Sequence, residues 1–474
     1  MREKIFCNPL PLPDLGLGVC CRMADADPSM FNGKVRDFRE VSDPEMLYDN
    51  GVWYMYPSVS QAFVSKDFVN WEYKKIDIEC DLGYAPSVIK FRNKYLLTSS
   101  VLFREKKTKI FEAPTPLGPF NLIGEMLDMH GNELLPEYLD PSLFVDDDGK
   151  LYVYWGCSPY DIGIFGVELD PEHPNCAVCE PVKLIEYKRE NTWEHYGEYN
   201  EHPDFGWDEG VAMFKHNNIY YLQYAGCGTV FRNYTIGCYM SSESPLGPFK
   251  APTAPMVQCN HGIVNGTGHG GWVKGPEGSV WQFYTCRIGR VHRYERRVGM
   301  DKVEFAPDGT PHVKVTSTPQ FIIGGDAGLL PLSFSKKCKA SSFEDNAFPF
   351  LAVDENTHTC WFPEAEDKTP FLEVDLAEEF SVSAARMIWA EKNLNVKNNI
   401  FPEAIQYRIE FFDRNGKQLD FAVDRSDNRR DLNVDFVTFA PVKAQKVRIS
   451  ILKNAASRIH AGLIDFTVFG TQEK

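Results

Sequence analysis

The chain has no run of about 18 apolar residues, so nothing in its 474 residues is long and apolar enough to cross a bilayer as a helix. It has no surplus of positive charge either. Against 66 Asp and Glu stand 50 Lys and Arg, a net charge of -16 that excludes the basic face a nucleic acid needs. A neutral or cationic small molecule is the expected ligand. The opening stretch, MREKIFCNPLPLPDLGLGVCC, lacks a continuous apolar core because prolines and Asp14 interrupt it. That predicts a cytoplasmic protein, or a secreted one if a leader was trimmed away. A disulfide framework is missing too: the 13 cysteines are odd in number and fall mostly in apolar runs such as YAGCG, IGCYM and FYTCR, as free thiols do. Cys176-Ala-Val-Cys179 has redox or zinc spacing, but no second pair accompanies it, and it reads as a surface hairpin with two free thiols. Long helical periodicities are scarce.

What remains is β structure. Apolar content of 43% with 24% charged residues is that of an ordinary globular protein, and the length calls for two domains. Five segments share one plan: DPEMLYDNGVWYMYPS, APSVIKFRNKYLLTSS, DPSLFVDDDGKLYVYWG, EGVAMFKHNNIYYLQYA and GTGHGGWVKGPEGSVWQFYTC. Each has a polar or small opening, an apolar strand, a turn rich in Asp, Asn or Gly, and a second, aromatic strand. They begin at residues 43, 85, 140, 209 and 266. Further strand signals such as FVSKDFVNWEY, PTPLGPFNLI and SPLGPFKAP fall between them. Units of this size with about four strands predict an all-β, five-bladed β-propeller over residues 1–325.

In a propeller the innermost strands surround one axis, so residues at their matching ends converge although they are distant in sequence. The matching starts are Asp43, Ala85, Asp140, Glu209 and Gly266. Three converging carboxylates suit glycoside hydrolysis. One protonates the leaving oxygen, one acts on the opposite face of the sugar, and a third, as a like charge, raises the pKa of the proton donor. No cofactor is needed. Asp146, Asp147 and Asp148 are different, since DDDG lies at a hairpin tip where Asp serves the turn.

The segments VSDPEMLYDNGVWYMY, DPSLFVDDDGKLYVYWG, DEGVAMFKHNNIYYLQYA, SSESPLGPF, GTGHGGWV and RRVGMDKVEFAPDGTPHVKVTSTPQ together resemble glycoside hydrolase family 43 over residues 38–320. The resemblance implies an inverting hydrolase on a five-bladed propeller, commonly an α-L-arabinofuranosidase, β-xylosidase or arabinanase. It implies that Asp43 is the general base, that Asp140 tunes and orients the acid, and that Glu209 is the general acid. A second Asp-Pro at Asp27 competes for the base role, but only Asp43 is followed by the strand, turn and aromatic strand of the repeat. The chain departs from the family pattern at Ser87, after Ala85-Pro86, and at Val211, where proline is usual. The resemblance further implies that His269 lies beneath the substrate, contacting a hydrated calcium ion through water, and that Arg287 approaches the sugar hydroxyls; a metal-free buried histidine and a surface arginine are the alternatives. The basic stretch from Arg287 through Arg290, His292, Arg293 and Arg296 to Arg297 is expected mostly to line an outer strand. In the insertion ENTWEHYGEYNEHPDFGWDEG, Trp207 is the first candidate for lining the sugar subsite and Trp193 the second.

After residue 325 the strands alternate as in an antiparallel sandwich. Ala-Val-Asp-Glu-Asn-Thr, Trp361, FLEVDL and LIDFTVFG make residues 335–474 similar to a coagulation factor 5/8 type C, or discoidin-like, jelly roll. Such modules bind sugars or only pack, and often hold a structural calcium, here near Asp354. The reading that follows is an exo-acting inverting glycosidase acting on terminal arabinofuranosyl or xylosyl groups. A β-D-galactofuranosidase, a five-bladed glycoside phosphorylase needing basic side chains at the mouth, and a non-catalytic carbohydrate-binding protein are the alternatives.

Overall fold

A computed structural model describes residues 4–472 apart from 16–37, 59, 81, 101–107, 135–138, 158–161, 396–397 and 453–457. Asp27 lies outside the described residues. Every long element is a strand, and the described helical turns are short 3-10 turns. The five hairpins read from sequence are the inner pairs of five antiparallel sheets: Glu45–Asp49 with Val52–Tyr56, Tyr84–Phe91 with Lys94–Ser100, Ser142–Val145 with Leu151–Cys157, Glu209–His216 with Ile219–Gly226, and Trp272–Lys274 with Val280–Arg287. These sheets are the blades of the propeller, numbered 1 to 5. The fourth has three strands and the others four.

Tight turns of Asp, Asn and Gly join the inner strands, and the buried aromatics of the second strands fill the spaces between blades. Trp155 is fully buried between blades 2 and 3, and Met46, Trp53, Trp281 and Phe283 close blade 5 on blade 1. Asp146, at the tip of its hairpin, is bound by Lys215 and Tyr220 of the next blade, so it serves structure. The described cysteines, Cys176 and Cys179 among them, are all free.

The C-terminal module is built on three long strands, Phe371–Lys392, Val434–Leu452 and His460–Thr471, with Trp361 and Trp389 in its core. Leu330–Pro331 already pairs with Phe469 and Gly470, so its sheet begins ahead of residue 335. Arginines join the two modules. Arg39, 2% exposed, donates to both oxygens of Glu391 (2.8 and 2.6 Å) and to both oxygens of Asp431. Arg386 donates from the other side to the carbonyls of Asn8 and Ser317 while paired with Asp465. Breaking a buried pair strands its partners, so Arg39→Ala is expected to cost about 3–5 kcal/mol of stability, read as a lower denaturant midpoint. An unchanged midpoint would show that Arg39 does not couple the modules.

Candidate active site

Each inner strand is entered through one residue in the left-handed region: Asp43 (φ 52°), Ala85 (48°), Asp140 (49°), Gly210 (62°) and His269 (46°). For a residue with a Cβ this costs on the order of 1–2 kcal/mol, and its recurrence marks a common bulge at the axis. The repeat therefore has a register different from the one expected. Asp43 and Asp140 are equivalent, but Glu209 precedes its bulge residue by one position and corresponds to Tyr84. In the fifth blade the equivalent residue is His269, not Gly266. Hydroxyls fasten the bulges. Ser58 donates to Asp43 and accepts the Ala85 N–H, Ser100 accepts the Asp140 N–H, and Thr285 of blade 5 accepts the Asp43 N–H, joining the last blade to the first.

The three carboxylates are 5–7% exposed, and their surroundings separate them electrically. Asp43 Oδ2 accepts from Ser42 (2.8 Å) and Ser58 (2.6 Å), and its Oδ1 is 3.4 Å from both Arg296 Nη1 and His269 Nδ1. Burial works to raise its pKa, but Arg296, His269 and the two hydroxyls together hold it below the usual carboxylate range. Among the described residues no cation pairs with Glu209. Its oxygens accept from the Trp207 indole (2.6 Å) and the Tyr234 hydroxyl (2.9 Å), yet burial, then the charges of Asp140 and Asp43, push its pKa up to about 8. Asp140 takes hydrogen bonds from Ser100 (2.8 Å) and the Gly210 N–H; burial and the Asp43 charge raise it against the pull of His269. The surroundings thus favour an ionised Asp43 and a protonated Glu209 at neutral pH.

His269 links two of the three: its Nδ1 is 3.4 Å from Asp43 and 3.8 Å from Asp140. Its ring lies over Gly210, where a Cβ would come within 2.6 Å of it, so both φ and space require glycine there.

Trp207 is half-buried and donates directly to Glu209. Trp193 is held within the insertion by Asn200, and no described hydrogen bond joins it to the acids. Arg287 meets Glu198 of the insertion and His358 of the C-terminal module. Asp354 spends its oxygens on Thr359 and the Asn356 N–H of its own loop, donors with which a calcium ion would compete. Among the described residues no three His, Cys, Asp or Glu side chains are placed to hold a metal.

Of the basic stretch, Arg296 and Arg297 lie on the third strand of blade 5, and both are buried there. Arg296 is 2% exposed, bound to Glu40 (2.7 Å) and set between the rings of Tyr84 and Tyr294, while Arg297 is buried against Asn433 of the C-terminal module. Arg296 and Tyr234 are the site residues that the strand pattern did not reveal. In sequence Arg296 opens the third strand of blade 5 and Tyr234 directly precedes the third strand of blade 4, with nothing local to set either apart.

The family model for glycosyl hydrolases family 43 matches residues 39–311, more than half of the chain, and that for a NedA-like galactose-binding domain matches residues 351–449. A β-D-galactofuranosidase, xynD, of Aspergillus niger is 27% identical over 259 residues, which cover 48% of this chain and 68% of the fungal protein. Among solved structures, one described as a glycoside hydrolase superposes with a TM-score of 0.50 at 22% identity, covering 90% of this chain and 97% of its own. A thermostable family-43 glycoside hydrolase gives a TM-score of 0.50 at 23% identity over 59% of this chain and 95% of its own. At that identity the structures speak for the fold alone.

Proposed function

The chain belongs to glycosyl hydrolase family 43, and we propose that it is an inverting, exo-acting glycosidase in which Glu209 is the general acid, Asp43 the general base and Asp140 the residue that tunes and orients the acid. The observation that carries this reading is the opposite displacement of two buried carboxyls, Asp43 downward and Glu209 up to about 8. A protonated Glu209 gives its proton to the glycosidic oxygen as the bond breaks. The ionised Asp43 takes a proton from water attacking the other face of the sugar. Arg296 keeps Asp43 charged, and the Asp140 charge favours the proton on Glu209.

The substrate is a carbohydrate, and we assign terminal α-L-arabinofuranosyl or β-D-xylosyl groups of plant-type oligosaccharides or polysaccharide side chains. A terminal β-D-galactofuranosyl group is the second reading, on the strength of the Aspergillus relative. Phosphorolysis is the less favoured reading, because Arg296 and Arg297 of the basic stretch are committed to buried partners. A lectin would have no use for an acid and a base held in opposite states. No cofactor is needed for these steps; calcium beside Asp354, or above His269 through water, remains a structural proposal. No helix among the described residues is long and apolar enough to cross a membrane.

The test is release of p-nitrophenol from the α-L-arabinofuranoside, β-D-xyloside, β-D-galactofuranoside and β-D-mannoside, each with and without phosphate. Phosphate-independent release from one pentoside or furanoside is expected. Release only with phosphate would replace the hydrolase by a phosphorylase.

A further inference from the structure

Arg287 ends the second strand of blade 5, two residues beyond Thr285, whose hydroxyl holds the Asp43 N–H. Residues two apart share a face of a strand, so Arg287 lies on the same side as Thr285, roughly 7 Å further along. Its Nη1 is 3.4 Å from Glu198 Oε1 and 3.3 Å from His358 Nε2. Glu198 comes from the insertion that leads into Glu209, and it also receives the Arg232 Nε–H (2.6 Å) and N–H (3.1 Å). His358 comes from the other module, on a loop shaped by its own hydrogen bonds: the Asn356 N–H to Asp354, and the His358 N–H to the Asn356 side chain.

Gly289 closes the Nε edge of the guanidinium. Gly289 (φ +66°) packs so closely that a Cβ there would lie 3.0 Å from Arg287 Nε. That Nε–H is buried with no acceptor among the described residues, although Arg287 as a whole is only 8% exposed. The Nη2 donors make no hydrogen bond among the described residues either, and a cationic donor left without an acceptor carries a desolvation cost that a ligand oxygen removes. His358 itself is exposed.

We propose that the C-terminal module is part of the sugar site: His358 accepts a hydrogen bond from Arg287 and, together with Glu198, holds the guanidinium where its Nη2 donors meet a sugar hydroxyl. His358 is thus a positioning residue, and the module that carries it is a wall of the funnel, not a separate sugar-binding appendage. Burial and the two neighbouring cations, Arg287 and Arg232, lower the His358 pKa, which keeps the ring neutral and able to accept. The proposal rests on the three acids being the hydrolytic centre.

The experiment uses the full chain and the p-nitrophenyl glycoside that it hydrolyses. His358→Ala is expected to raise KM about 5–20-fold with kcat within about threefold, as loss of a hydrogen bond to a charged group would do. His358→Gln, which keeps an acceptor, should restore KM to near its original value. Arg287→Ala should raise KM at least as much, and the double variant should be no worse than Arg287→Ala alone, because His358 acts through Arg287. An unchanged KM in His358→Ala, or additive effects in the double variant, would overturn the proposal. Should the Ala variant melt early, His358→Gln and His358→Lys decide: Lys sets a cation against Arg287, and equal KM values for the two would equally overturn it. If the chain turns over no glycoside, the hydrolase reading falls by itself. Calorimetric binding of L-arabinose and D-xylose to the wild type and to His358→Ala then still reports on the wall, equal affinities counting against it.

Discussion

Replacing Glu209 by Gln is expected to lower kcat on a natural glycoside by about 10²–10⁴-fold, the usual contribution of a positioned general acid. The loss should be far smaller with a p-nitrophenyl leaving group, which departs without a proton. The variant should fold normally. Glu209 is protonated at neutral pH, so Gln changes no charge there, and its one oxygen can still accept from Trp207 or Tyr234. The pH profile supplies a second signature. The raised pKa of about 8 means that wild-type activity falls as pH climbs through that value and the acid loses its proton. Gln has no proton to lose, so the residual activity of the variant should lack this alkaline limb. Unaltered kcat on an unactivated glycoside would remove Glu209 from the acid role.

Asp43→Asn should be at least as damaging, again about 10²–10⁴-fold or more, but with every leaving group, because the attacking water loses its base whatever departs. The contrast between the two variants on activated and unactivated substrates separates acid from base without a bound structure. Stability gives an independent check. The Asp43 pKa is lower in the folded chain than in the unfolded one, so its ionised form stabilises the fold at neutral pH, and that contribution is lost as pH falls through the carboxylate range. Asn cannot titrate, and it leaves the buried Arg296 with Glu40 alone as its acidic partner. The variant should therefore be less stable at neutral pH and lose less on acidification. An identical acid-induced loss in both proteins would contradict the proposed Asp43 environment.

The hairpins were legible in sequence because each has a period-two apolar strand, an Asp, Asn or Gly turn and an aromatic return strand, all local signals. The convergence of Asp43, Asp140 and Glu209 was legible only through the repeat, which turns distant positions into neighbours. The register failed in blade 4 because a bulge is a matter of φ, and DEG does not announce that glycine takes the left-handed place while the acid enters one residue early. Arg296 and Arg297 illustrate another limit. Adjacent residues on a strand point to opposite faces, and here one face meets the base while the other meets a module more than 100 residues downstream. No property of the dipeptide distinguishes that from a solvated pair. His358 was invisible for the same reason: its partner, Arg287, lies 71 positions earlier and in the other fold.

Arg39, which joins the modules, and Asp43 lie four positions apart on one buried segment. Within it Glu40 binds Arg296 and the Val41 N–H binds the Arg296 carbonyl. Few torsions separate the anchor from the base. A propeller expressed alone, or grafted onto a different accessory module, would leave Arg39 without Glu391 and Asp431 and free the segment that sets the direction of Asp43. The accessory module is therefore not interchangeable cargo: exchanging it would also change the support of the segment that carries Asp43.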